Sequence, residues 1–192
     1  MSIVFFDLET GGLQSTHPNI QLAAIAVNDA FEEQAVFESK IAFDVGRADP
    51  EALKINHYSE EAWVDAPVVE DVADRFSRFI EPYKSIQMVS KRTGNPYSVA
   101  RLAGHNAAAF DGPRIQAMYT SVARFLPAHP IPLDTLQLAL WRYQKLQKHL
   151  DSFRLENLCN ILGIESAGAH DALTDVRMTV QLAKKLLLGG EK

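Results

Sequence analysis

With one cysteine in 192 residues, Cys159, the chain has no partner for an internal disulfide, which fits a reducing, cytoplasmic setting. Cys159 lies in Leu158-Cys159-Asn160-Ile161-Leu162 and reads as core. Long hydrophobic runs are also missing. The stretch Ile3-Val4-Phe5-Phe6 is cut by Asp7 and preceded by no basic segment, so neither a signal peptide nor a membrane span is expected. Positive charge is not in excess either: 19 Lys and Arg against 24 Asp and Glu give a net charge of −5. That balance argues against a protein coating long stretches of nucleic acid, because such binding rests on neutralising phosphates. It leaves room for an enzyme that grips a few nucleotides at one end. No Gly-x-Ser-x-Gly elbow and no P-loop occur, so acyl transfer and P-loop chemistry lack their parts.

What is present suits one globular domain over 1–192, 47% hydrophobic and 22% charged, large enough for a proper core. Three strand-like stretches come first, Ile3 to Leu8, Gln21 to Val27 and Gln34 to Phe43, with connectors short enough for an antiparallel meander. Pro50 to Trp63 reads as short helical pieces. Val68 to Ile80 carries a helical period through Val69, Val72, Ala73, Phe76 and Ile80. The stretch 86–102 is interrupted by Lys91-Arg92-Thr93-Gly94-Asn95-Pro96 and predicts a β-hairpin insertion leading into Gly104, with Lys91, Arg92 and Arg101 as candidate phosphate contacts. From Ala107 the pattern turns helical through Phe125. Leu136 to Leu146, Phe153 to Leu162 and Ala172 to Leu188 are further helices, the second stopped by Gly163. Strands first and helices mostly afterwards imply a layered α/β domain, a mixed sheet flanked by helices.

The chemistry gathers at element boundaries. Asp7 and Glu9 end the first strand, just before Thr10-Gly11-Gly12. Residues i and i+2 of a strand share a face, so both carboxylates converge on one spot at the mouth of a low-dielectric core. Ionised carboxylates so placed repel, and a divalent cation is the usual remedy. Asp111, in Phe110-Asp111-Gly112-Pro113, falls at a helix start because Pro113 is tolerated only in a first turn, although turn chemistry alone would also place an Asp there. In Ala169-His170-Asp171-Ala172-Leu173-Thr174-Asp175, His170 and Asp175 are five apart, about 140° on a helix, so His170 precedes the helix and Asp171 is a candidate N-cap. Asp175 is equally a carboxylate favoured by the helix dipole, and His170 equally a loop histidine.

Taken together, three motifs resemble the DEDDh family, the DnaQ-like 3′–5′ exonucleases of the ribonuclease-H-like fold. They are Phe6-Asp7-Leu8-Glu9-Thr10-Gly11-Gly12-Leu13, Gly104-His105-Asn106 through Phe110-Asp111, and His170-Asp171-Ala172-Leu173-Thr174-Asp175. Ala52-Leu53-Lys54-Ile55-Asn56-His57, Leu133-Asp134-Thr135-Leu136, and Leu155-Glu156-Asn157-Leu158 with Leu162-Gly163-Ile164 add to the match. The departures are Gly11, where the family often has threonine, and Gly112-Pro113 after Asp111.

The resemblance implies a central mixed sheet of about five strands, the first three antiparallel. It implies 3′–5′ exonuclease activity releasing nucleoside 5′-monophosphates by a two-metal-ion mechanism with Mg²⁺ or Mn²⁺. Asp7 would bridge the ions, Glu9 and Asp175 complete one shell, Asp111 holds the second, and His170 is the general base. Thr10, Gly11, Gly12, Leu13, His57 and Asn106 would hold the terminal nucleotide, with Leu13 as a wedge; the alternative for Leu13 is a tight turn returning it to the core. The implied partner is a single-stranded or frayed 3′ end. A polymerase or processing complex and a homodimer are compatible with it, and a membrane is not. The rival class is a non-catalytic nucleic-acid or protein-binding module on the same fold, in a replication or RNA-processing assembly.

Overall fold

The computed structural model describes residues 2–146, 149–166 and 171–189. Its centre is β1 (Ile3–Thr10), which sends Val4, Phe6 and Leu8 to one face and Phe5 to the other. β2 (Asn19–Val27) pairs antiparallel with β1, and β3 (Glu33–Lys40) antiparallel with β2. β3 ends short of Phe43 because the chain turns away: the Ala42 amide donates to the Pro67 carbonyl at 2.8 Å.

The short helices α1 (Pro50–Ile55) and α2 (Glu60–Trp63) precede α3 (Val69–Ile80). The expected hairpin follows as β4 (Lys84–Val89) and β5 (Pro96–Ala100). Next come β6 (Leu102–Gly104), α4 (Asp111–Ser121), β7 (Leu133–Asp134), α5 (Thr135–Lys145), α6 (Leu155–Ile161) and α7 (Ala172–Leu188). β6 lies parallel to β1, and β7 parallel to β6, giving the five-stranded order β3-β2-β1-β6-β7. α4 starts at Asp111 rather than Ala107. Asn106 is left-handed with φ of 58°, and the Asp134 carboxylate accepts the amides of Asn106 and Ala108 at 3.0 Å each, so the alanines form a turn.

Both faces of the sheet are covered. On one, Phe6, Leu22 and Phe37 pack against Phe76 of α3 and Ile115 and Tyr119 of α4. On the other, Phe5, Ile25 and Val27 pack against Val176, Val180 and Ala183 of α7. Each large apolar side chain so buried contributes about 1.5–3 kcal/mol. α5 and α6 close over the outer side of α7 through Tyr143, Leu158, Cys159, Leu182 and Leu186. Cys159 is buried core, and burial pushes its thiol up to about 11. Among the described residues no helix is long and apolar enough to cross a membrane.

Candidate active site

The face that carries Phe5 against α7 also carries Asp7 and Glu9, two and four residues further along β1. The first turn of α7 meets them there. Asp7, Glu9 and Asp175 each offer a carboxylate oxygen within 4.8 Å of the others. Asp7 stands opposite Ala23 of β2, whose small side chain leaves room for the carboxylate, and Glu9 stands opposite Gln21. α7 is set in register by its N-cap: the Asp171 carboxylate accepts from the Thr174 amide at 3.2 Å and the Thr174 hydroxyl at 3.0 Å.

Asp111 reaches the same sheet end from the opposite layer, as the first residue of α4. It is 4% exposed, and its Oδ1 is buried with no hydrogen-bond partner among the described residues. Its charge is the strongest electrostatic push on Asp7, whose carboxyl is held well above its ordinary range, first by burial, then by Asp111, Glu9, Asp175 and Asp171. Burial, then the charges of Asp175, Asp111 and Asp171, raise Glu9 to about 7. Burial raises Asp111 to about 7 against the backbone amides of Asp111 and Leu8 and the charge of Arg114. A set of hard oxygen donors this close, mutually repelling, with one oxygen left without a partner, fits a divalent cation of the Mg²⁺ type. His170 lies outside the described residues.

Around the carboxylates, the turn 10–18 is closed on itself. Thr10 Oγ1 donates to the Gly12 carbonyl at 3.0 Å, and the Gly11 amide to the Pro18 carbonyl at 2.8 Å. Gly12 has φ of +138°, and a Cβ there would lie 1.9 Å from His17 Nδ1, so the imidazole occupies the space a side chain would need. Leu13 does not return to the core; it is 85% exposed at the tip. His57 is exposed and left-handed, with φ of 50°, and its neighbour Asn56 ties that corner to β1 by donating to the Thr10 carbonyl at 2.8 Å. Asn106 is exposed, its backbone held by Asp134. A cleft of about 570 Å³ runs beside Leu13, walled by His17, Phe43, Phe110, Arg114 and Met118.

The hairpin sits elsewhere. Because β6 runs parallel to β1, β5 leads in at the end of the sheet opposite the carboxylates. Lys91 and Arg92 are exposed at the hairpin tip, and Arg101 donates to the Ile131 carbonyl at 3.1 Å. Sequence reasoning assigned no role to Arg114, His17 or Gln21. Arg114 and Gln21 act on segments far along the chain, and His17 acts through a glycine turn whose shape only the fold reveals. His105 of the second motif is a structural pin, its Nδ1 2.9 Å from the Thr135 hydroxyl and its Nε2 2.9 Å from the Phe153 carbonyl, with burial lowering its pKa.

The chain is similar to known proteins. The DNA polymerase III epsilon subunit of Treponema pallidum is 26% identical over 180 residues, covering 92% of this chain and 72% of that protein. The PolC-type DNA polymerase III of Staphylococcus aureus is 28% identical over 190 residues, covering 96% of this chain but only 11% of that protein. E. coli exonuclease I, solved in complex with a dT13 oligonucleotide, superposes with a TM-score of 0.73 at 23% identity, over 95% of this chain and 40% of that one, and shows the fold. A family model described as exonuclease matches residues 4–93 and 97–183, breaking only at the hairpin turn and taking in all three motifs. The chain therefore belongs to the exonuclease family, the DEDDh, DnaQ-like 3′–5′ exonucleases built on the ribonuclease-H-like fold.

Proposed function

We propose that this chain hydrolyses the 3′-terminal phosphodiester of single-stranded DNA and releases nucleoside 5′-monophosphates, with Asp7, Glu9, Asp111 and Asp175 holding two divalent cations, Mg²⁺ or Mn²⁺. The observation that carries this reading is the convergence of three carboxylates within 4.8 Å beside a fourth whose buried oxygen lacks a partner. Bound there, two such ions supply an activated water and stabilise the leaving 3′ oxygen. A module without catalysis would leave this buried repulsion unexplained.

The remaining work falls to the chain's own groups. His170 takes the proton of the attacking water at a ring nitrogen, the general-base task for which histidine is most often used. Leu13, exposed above the turn, wedges against the terminal base, and Phe43 and Phe110 in the adjoining cleft give following bases an apolar wall. DNA is the polymer favoured by the similarity to polymerase III subunits and by the dT13 and dA16 oligonucleotides bound to exonuclease I. The same similarity makes a polymerase assembly the partner to look for.

The test is incubation of 5′-labelled single-stranded DNA, duplex DNA and RNA with the protein and Mg²⁺ or Mn²⁺, beside Asp7→Ala and a chelator control. A ladder shrinking from the 3′ end, strongest on single-stranded DNA and absent in both controls, is expected. Equal digestion of RNA would move the substrate to both polymers, and an undiminished ladder in Asp7→Ala would remove the site assignment.

A further inference from the structure

Arg114 sits three residues into α4 from Asp111 and is 8% exposed; the Asp111 charge acts on it, but no carboxylate hydrogen-bonds to it among the described residues. Its guanidinium is spent on backbone. Nη2 donates to the carbonyls of Gly12, Leu13 and Gln14 at 3.0, 3.0 and 2.9 Å, and Nη1 to that of His17 at 3.3 Å. Phe110 covers its flat face, with the guanidinium carbon 4.4 Å from the ring centroid. Buried and stacked, this arginine directs both terminal nitrogens to backbone carbonyls of one loop. What it does hold is the whole loop whose tip is Leu13.

The direction of those bonds matters. In a trans peptide the carbonyl and the following amide point opposite ways. Drawing the carbonyls of Gly12, Leu13 and Gln14 onto one nitrogen therefore turns the amides of Leu13, Gln14 and Ser15 away from it. Those amides are left as outward donors beside the exposed Leu13 side chain. From the other side the loop is braced by the His17 ring seated on Gly12.

We propose that Arg114 is a positioning residue that fixes the Leu13 tip and its outward amides relative to Asp111, and so sets the grip on the 3′-terminal nucleotide; this rests on the exonuclease reading above. One helix turn then carries both a cation-holding carboxylate and the clamp on the substrate-holding loop. Only a planar fork serves this geometry. A lysine at the same place ends in a single nitrogen and serves either the 12–14 carbonyls or His17, not both.

The experiment measures kcat and KM on a short 5′-labelled oligothymidylate with Mg²⁺ for wild type, Arg114→Lys, Leu13→Ala and the double variant. Arg114→Lys is expected to raise KM about tenfold with kcat within about threefold, and Leu13→Ala to do the same. The double variant is expected to be no worse than either alone, because both remove one grip. An unchanged KM in folded Arg114→Lys, or additive losses in the double variant, overturns the proposal. Should Arg114→Lys fail to fold, His17→Ala loosens the same loop from its other side and must raise KM, and an unchanged KM there counts equally against it. Wild-type protein with no turnover on any polymer would instead remove the exonuclease reading, and this proposal with it.

Discussion

Gln21 Nε2 lies 3.3 Å from Asp171 Oδ1, so the β2 residue opposite Glu9 ties the sheet directly to the cap of α7. The same nitrogen donates to Glu38 Oε1 at 3.0 Å, extending the tie to β3. The seat of Asp175 against Asp7 and Glu9 thus depends on a buried amide from a strand that contributes no carboxylate to the group. Gln21→Leu is expected to cost about 1–3 kcal/mol of stability, from the lost bonds and the acceptors left behind, and to lower turnover by misplacing the first turn of α7. Denaturant unfolding and kcat read the two effects separately. Unaltered kcat would show that Asp171 seats the helix unaided.

The carboxylates oppose folding when no cation is present. Asp111→Asn removes one buried charge while keeping the shape, so the metal-free protein should gain about 1 kcal/mol, seen as a rise of roughly 2–4 °C in Tm. Turnover should collapse, and the Mg²⁺-induced rise in Tm should shrink, because a ligand stabilises only what it binds. Thermal melting with and without Mg²⁺ checks both signs, and a less stable metal-free variant would contradict the repulsion.

The pH dependence follows with a definite sign. Glu9 and Asp111 ionise near 4.5 and 3.8 in the unfolded chain and near 7 in the folded one. Folding therefore favours their protonated forms. Their contribution to metal-free stability is full below about pH 4 and lost as pH climbs through about 7. Cations bind the ionised forms, so the gap in Tm between Mg²⁺-loaded and chelator-treated protein should widen from pH 5 to pH 8. A gap that stays constant over that window would mean the carboxylates titrate normally.

His170→Ala separates proton transfer from cation binding. Turnover should fall by about 10²–10⁴-fold, the usual worth of a positioned general base, while the Mg²⁺-induced Tm shift persists. Loss of the shift would make His170 a ligand, and undiminished turnover would remove it from the chemistry.

How much of this was legible depends on whether the cause is local. The alternation of β1 and the run Asp7-Leu8-Glu9 encode a strand with both carboxylates on one face, and the structure has that strand. Asp171 announces itself as a cap by its place before an apolar helical period, and it caps α7. Pro113 announces a helix start at Asp111, where α4 begins, but the helical reading from Ala107 fails because Ala107-Ala108-Ala109 favours helix and is overruled by Asp134. Arg114 was not legible for a similar reason: its partners lie around Gly12 to His17, and no spacing within α4 points to them. The hairpin was read correctly as a hairpin, but its distance from the site follows from the parallel β1–β6 pairing, which only the assembled sheet reveals.

The three converging carboxylates come from the first strand and the last helix of the described fold. A partly synthesised chain thus holds Asp7 and Glu9 with no Asp175 to meet them, and long-range closure is the slow part of folding. If these carboxylates hold the cations as proposed, cleavage is expected only once the last helix has closed on the first strand. On the site assignment proposed above, a chain whose last helix has not yet closed is expected to leave nucleic acid uncut, a consequence of chain order alone.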